Sequence, residues 1–144
     1  MSQQLFSIDG IRQLSFPKFS EDTGDLCIYE SGQDIPMDIK RVFSVNSTHK
    51  GSKRGEHAHY NCVQILICLN GSCRVDCDDG KQKKTFILNS PDKGLYIPAS
   101  IWVEQTYTED GSTLLVLCDH VFSEDDYIRD YDDFISYRNF GKVK

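Results

Sequence analysis

The chain of 144 residues has no excess of basic charge: 16 Lys and Arg stand against 22 Asp and Glu, giving a net charge of −6. Binding along a phosphate backbone needs a basic face, so a general nucleic-acid surface is excluded. No apolar run is long enough to span a bilayer, and Met1-Ser2-Gln3-Gln4-Leu5-Phe6 lacks the basic region and apolar stretch of a secretion signal. The expectation is a cytoplasmic protein with no membrane partner. No Cys-x-x-Cys pair occurs among the six cysteines, Cys27, Cys62, Cys68, Cys73, Cys77 and Cys118. Most fall inside strand-like apolar runs, so they read as reduced core thiols rather than a disulfide framework. Internal repeats, low-complexity stretches and linkers are also missing, which leaves one domain over 1–144.

What charge there is lies unevenly. Acidic residues gather in Ser123-Glu124-Asp125-Asp126 and Asp130-Tyr131-Asp132-Asp133, while Lys40-Arg41 and Lys50-Gly51-Ser52-Lys53-Arg54 are locally basic and suited to one anionic ligand. Between them, short runs of β-branched, aliphatic and aromatic residues are divided by turn signals, the pattern of an all-β sandwich or barrel. The runs are 39–45, 61–69, 72–77, 84–88, 95–97, 101–107 and 113–119. Asn70-Gly71 and Asp79-Gly80 are hairpin dipeptides, and Ser90-Pro91-Asp92-Lys93-Gly94 reads as a loop. Cys73, Val75 and Cys77 alternate with Arg74, Asp76 and Asp78, whereas 61–69 is apolar on nearly every residue and is expected to be a central strand covered on both sides. Only Asn61 and Gln64 are polar in that run, and a buried Gln64 requires partners or a ligand. After Ser123 the period changes: Asp126 stands three residues on, and Tyr127-Ile128, Tyr131 and Phe134-Ile135 recur at helical spacing. This predicts a helix over 123–138 that packs an aromatic stripe on the barrel.

Of four histidines, two stand as His57 and His59 just before the central run. Residues two apart in an extended segment project to the same side, so both imidazoles are expected to enter one space, with Arg54, Arg41 and Gln64 nearby. Gly51, His57, His59, Gln64 and Gly71 fall at the spacings of the first cupin motif, with Gln64 in place of its Glu. The second motif is degenerate: Gly94 and Pro98-Ala99-Ser100 are followed by Val103 where a histidine would stand. The chain thus resembles the cupin superfamily, which implies a double-stranded β-helix jelly-roll barrel. Two imidazoles, a neutral amide and an alkyl group make a weak divalent-metal site, so neither metal nor other cofactor is expected.

Within the cupins the chain resembles the dTDP-4-oxo-6-deoxyhexose 3,4-ketoisomerases. The likeness runs through Asp38-Ile39-Lys40-Arg41-Val42-Phe43, Arg54-Gly55-Glu56-His57-Ala58-His59, Leu69-Asn70-Gly71-Ser72-Cys73-Arg74-Val75, Asn89-Ser90-Pro91, Gly94-Leu95-Tyr96, and Asp126-Tyr127-Ile128-Arg129 with Tyr131-Asp132. It implies an enzyme that moves a ketone from C4 to C3 of a dTDP-linked keto-deoxy sugar, making precursors for bacterial surface polysaccharides and glycoproteins, with His57 and His59 catalytic. The residues suit that chemistry on their own terms. A proton must leave C3 and one must return to C4, which asks for a base titrating near neutrality and a donor for the developing oxyanion. Arg41 and Arg54 are the expected diphosphate ligands, and Trp102 reads equally as a wall of the sugar pocket or a core residue.

Three positions depart from the resemblance: Phe43 replaces a Tyr, Val103 a His or Arg, and Thr23 a Tyr or Arg before Gly24. In the family the pair matching Thr23 and Val103 is associated with the C4 epimer formed. Two readings follow, an active isomerase and a non-catalytic nucleotide-sugar-binding cupin or an isomerase-like enzyme on a different nucleotide sugar; metal-centred oxidation is disfavoured by Gln64 and Val103. Leu5, Phe6, Phe16, Phe19, Leu26 and Ile28 supply apolar surface before Ile39, and the N-terminal strands in 1–38 are expected at a homodimer interface.

Overall fold

Alternating apolar residues give each central run one face for a core, and in a computed structural model, which describes residues 5–142, those faces meet between two sheets. In chain order the strands are β1 (Arg12–Ser15), β2 (Lys18–Glu21), β3 (Gly24–Cys27), β4 (Arg41–Val45), β5 (Lys53–His59), β6 (Gln64–Asn70), β7 (Cys73–Asp78), β8 (Lys83–Leu88), β9 (Lys93–Ile97), β10 (Trp102–Tyr107), β11 (Thr113–Cys118) and β12 (Tyr127–Ile128), followed by helix α1 (Tyr131–Phe140). One antiparallel sheet runs β1-β9-β6-β11-β4 and the other β12-β5-β10-β7-β8. Leu66, Cys68, Leu95, Leu114 and Val116 from the first meet Cys73, Val75, Cys77, Phe86, Val103 and Tyr107 from the second in one buried cluster. This is the expected all-β cupin jelly roll, although among the described residues no ladder of hydrogen bonds joins the two sheets into a closed ring.

The central strand is covered on both sides, as its composition requires. Leu66 and Cys68 face the inter-sheet core, while Ile65 and Ile67 face outward under Phe16 and Ile35. The N-terminal stretch therefore divides. Phe16 is spent within its own chain, whereas Phe19 and Leu26 pair across the separate β2–β3 hairpin and remain 57% and 59% exposed. All six cysteines are free, and five of them are buried.

The tail differs from its sequence expectation. The helix is Tyr131–Phe140, capped by Asp130, whose side chain accepts from Asp133 N at 3.0 Å. Ser123 makes no capping bond; 124–126 is a single 3-10 turn, and Tyr127-Ile128 pairs as β12 with His59-Ala58. The reason is that Asp126, which would have belonged to the helix, accepts instead from the backbone of the loop before β6. An aromatic stripe does pack on the barrel: Phe134 and Tyr137 join Ala58, Trp102 and Ile128 on the outer face of the second sheet.

Candidate active site

The histidine strand β5 was not expected from composition, since Arg54-Gly55-Glu56-His57 holds little that favours a strand. It is held in place by β10 on one side and β12 on the other. Opposite β10 the register slips: Val103 pairs with His57 and Glu104 with Gly55, so Glu56 is the extra residue of a bulge. Gly55 and Glu56 both take positive φ, 86° and 50°. A Cβ at Gly55 would lie 3.0 Å from the Val103 carbonyl oxygen, so only glycine fits. Because of the bulge, Arg54, paired with inward Gln105, shares a face with His57, paired with inward Val103.

His57, His59, Gln64 and Val103 line one narrow cleft of about 10 Å³ together with Cys62, Ile97, Pro98 and Ile101. The two imidazoles meet edge-on with ring centroids 5.0 Å apart. His57 Nδ1 donates to the Gly55 carbonyl at 2.7 Å, and His59 Nδ1 donates to Asp126 Oδ2 at 3.2 Å. In both rings Nε2 is then the nitrogen left for chemistry, and that of His59 is buried with no partner among the described residues. Burial first, and the neighbouring His59 second, push the His57 imidazole down to about 4, so at neutral pH it is an uncharged acceptor. Burial alone would raise Asp126, but hydrogen bonds from His59 and from the backbone of Cys62 and Asn61 hold its carboxyl below the usual range.

Gln64 has found its partner: Nε2 donates to Cys118 Sγ at 3.5 Å, and Cys118 also accepts from Cys62, which raises the Cys62 thiol and lowers that of Cys118. Arg41 reaches over Phe43 and Phe122, with its guanidinium 4.6 and 5.0 Å from the ring centroids, and donates to Tyr127 Oη at 3.3 Å. Tyr127 itself packs on both histidines, at 5.0 and 4.4 Å. Among the described residues neither Arg41 nor Arg54 has an ion-pair partner, so both guanidinium groups stand open to an anion.

Two expected residues lie elsewhere. Trp102 alternates with inward Val103 and so faces out, against Tyr131 and Phe134 at 5.3 and 5.6 Å, as a core residue under α1. Thr23 sits at the turn of the exposed β2–β3 hairpin, away from the cleft of its own chain. Conversely, Asp126 and Tyr127 were missed as site residues because their spacing was read as the first turn of a helix. The available signal was that the true cap, Asp130, comes immediately before a complete helical period, leaving 126–128 free to pair.

Over residues 9–139 the sequence matches the family described as "FdtA: WxcM-like, C-terminal". It is 40% identical over 124 residues, 86% of this chain and 89% of its relative, to a TDP-4-oxo-6-deoxy-alpha-D-glucose-3,4-oxoisomerase of Aneurinibacillus thermoaerophilus. Among solved structures it is similar to a 3,4-ketoisomerase from Helicobacter canadensis, with TM-score 0.87, 37% identity, and 90% and 98% of the two chains covered. It is also similar to the sugar 3,4-ketoisomerase QdtA from Thermoanaerobacterium thermosaccharolyticum in complex with TDP, with TM-score 0.88, 36% identity, and 92% and 97% covered. A variant of QdtA in complex with TDP-4-keto-6-deoxyglucose matches with TM-score 0.87, 35% identity, and 94% and 100% covered.

Proposed function

We propose that this chain, which belongs to the FdtA (WxcM-like, C-terminal) family, is a sugar 3,4-ketoisomerase that moves the ketone of a TDP-linked 4-keto-6-deoxyhexose from C4 to C3. The observation that carries the reading is the pair of facing imidazoles, each anchored through Nδ1. His57, neutral at working pH, takes the C3 proton on Nε2; the C–H electron pair forms the C3–C4 double bond of an enediol, and Nε2, whose proton exchanges with water, delivers a proton to C4. His59, fixed by Asp126, carries the other proton from O3 to O4. Each proton removed is replaced, and no oxidant is needed. The charges of a bound diphosphate raise the basicity of His57 above its value in the empty cleft.

The cleft holds about 10 Å³, room for little more than one water, far below ordinary ligand pockets of roughly 300 Å³ and more. Seating the hexose against the two imidazoles therefore requires the cleft to widen, with the nucleotide outside, where Arg41 and Arg54 clamp the diphosphate. Phe43 and Val103 bring no exchangeable proton to the site, and this favours, as the second reading, a cupin that binds a nucleotide sugar without turning it over. Proton NMR in heavy water with TDP-4-keto-6-deoxyglucose separates the two. Isomerisation washes the C3 hydrogen out and gives a 3-keto product, whereas tight binding of TDP without exchange would sink the catalytic reading.

The working form is a homodimer. The exposed Phe19 and Leu26 on the β2–β3 hairpin support an interface with a second copy, and a neighbour's cleft is the one that Thr23 serves. No described helix is long and apolar enough to cross a membrane.

A further inference from the structure

Cys62 lines the histidine cleft but has no part in the proton transfers above. Its Sγ, a ring nitrogen of His59 and a carboxylate oxygen of Asp126 all lie within 4.8 Å of one another. Cys62 and His59 are 6% and 7% exposed, so these are not solvated surface groups. The three are held together around Asp126: His59 on β5 donates from Nδ1 to Asp126 Oδ2 at 3.2 Å, the Cys62 backbone N–H donates to the same oxygen at 3.1 Å, and Asn61 N donates to Asp126 Oδ1 at 2.8 Å. A tetrahedral ion bound at about 2.0–2.3 Å spaces its ligand atoms roughly 3.5 Å apart, so the trio needs to contract by about 1.3 Å at most. Thiolate, imidazole and carboxylate together select a zinc-class ion over magnesium or calcium.

We propose that Cys62, His59 and Asp126 form a binding site for a thiophilic divalent cation of the zinc class, with water as the fourth ligand, and that the bound ion withdraws His59 from the reaction. This set is distinct from the cupin positions His57, His59, Gln64 and Val103, with which it shares only one imidazole. The chemistry balances without a co-reactant. The Cys62 sulfur gives a lone pair to the metal, and its proton is released to water through the cleft that Cys62 lines. With Nδ1 of His59 as ligand, the ring proton moves to Nε2, which has no partner to lose among the described residues. Cys62 is also a corner of a second trio with Asp119 and His120, but His120 is half-exposed and already tied to Asp119 at 2.7 Å, so the buried trio is the site.

The test is titration of chelator-treated full-length protein with Zn²⁺, and with Co²⁺ as a spectroscopic probe. One ion per chain is expected, with a thiolate-to-cobalt charge-transfer band. Cys62→Ala, checked for wild-type circular dichroism, is expected to bind Zn²⁺ at least tenfold more weakly and to lose the band, as is Cys62→Ser; His57→Ala and His120→Ala keep both. Unchanged affinity in the Cys62 variants, no binding by the wild type, or loss of binding in His57→Ala or His120→Ala would overturn the site. The inhibition rests on the role proposed for His59. Saturating zinc is expected to lower turnover at least tenfold, and full occupancy with undiminished turnover would overturn that role while leaving the site standing.

Discussion

His57 and His59 are chemically alike and are made unlike by what holds their Nδ1 atoms, a peptide carbonyl in one case and a carboxylate in the other. A carbonyl fixes a tautomer; a carboxylate also steadies the ring while its other nitrogen exchanges protons. Asp126→Asn is therefore expected to lower kcat about 10²-fold with KM changed little, by the usual worth of general acid–base assistance, as read from steady-state isomerisation; equal loss in kcat and in TDP affinity would point to a collapsed site instead. The His57 imidazole, lowered from 6.5 to about 4 by burial, also makes stability depend on pH. The unfolded chain takes up its proton near 6.5 and the folded chain only near 4, so the contribution is fully present above 6.5 and falls away between 6.5 and 4. That loss is roughly 3 kcal/mol. Urea unfolding at pH 7 and pH 4 is expected to show it in the wild type, and a difference smaller by about that amount in His57→Asn.

The bulge at Gly55-Glu56 is the element that aims the site. Gly55→Ala combines a φ of +86° with a Cβ 3.0 Å from the Val103 carbonyl, and is expected to cost on the order of 1–3 kcal/mol and to lower kcat/KM more than tenfold by turning His57 away. Under the barrel, Phe134 is fully buried against Trp102, and Phe134→Ala is expected to cost about 3–5 kcal/mol, visible as a lowered thermal midpoint. These elements differ in how legible they are in the sequence. The runs that became β4 and β6–β11 announce themselves because burial on one or both faces imposes a period on their side chains. β5 carries no such period: its strand geometry comes from neighbours on both sides, which a sequence displays only at a distance of 45–70 residues. The co-facial histidines could be read from spacing alone, yet Asp126 could not, since its carboxylate serves a loop more than 60 residues earlier. Trp102 turned out to be core because strand alternation puts it on the face opposite Val103.

As a whole, the molecule is an acidic body with a net charge of −6, in which Arg41 and Arg54 are without an ion-pair partner among the described residues, and this suits capture of a single polyanion against a repulsive background. The β2–β3 hairpin stands apart from both sheets, and both members of its Phe19–Leu26 pair are exposed. Replacing both by Glu is expected to shift sedimentation from a dimer to the 16.5 kDa chain and to reduce turnover by serving no neighbour's cleft; a wild-type dimer in that variant would move the interface elsewhere. Finally, the carboxylate that accepts from His59 follows β1–β11 in the chain and stands immediately before β12. A cut in the chain between β11 and residue 126 would leave β1–β11 in one piece and remove that carboxylate together with β12 and α1. Proteolysis working inward from the C-terminal end would therefore reach the anchor of His59 before it reached β11 or any earlier strand.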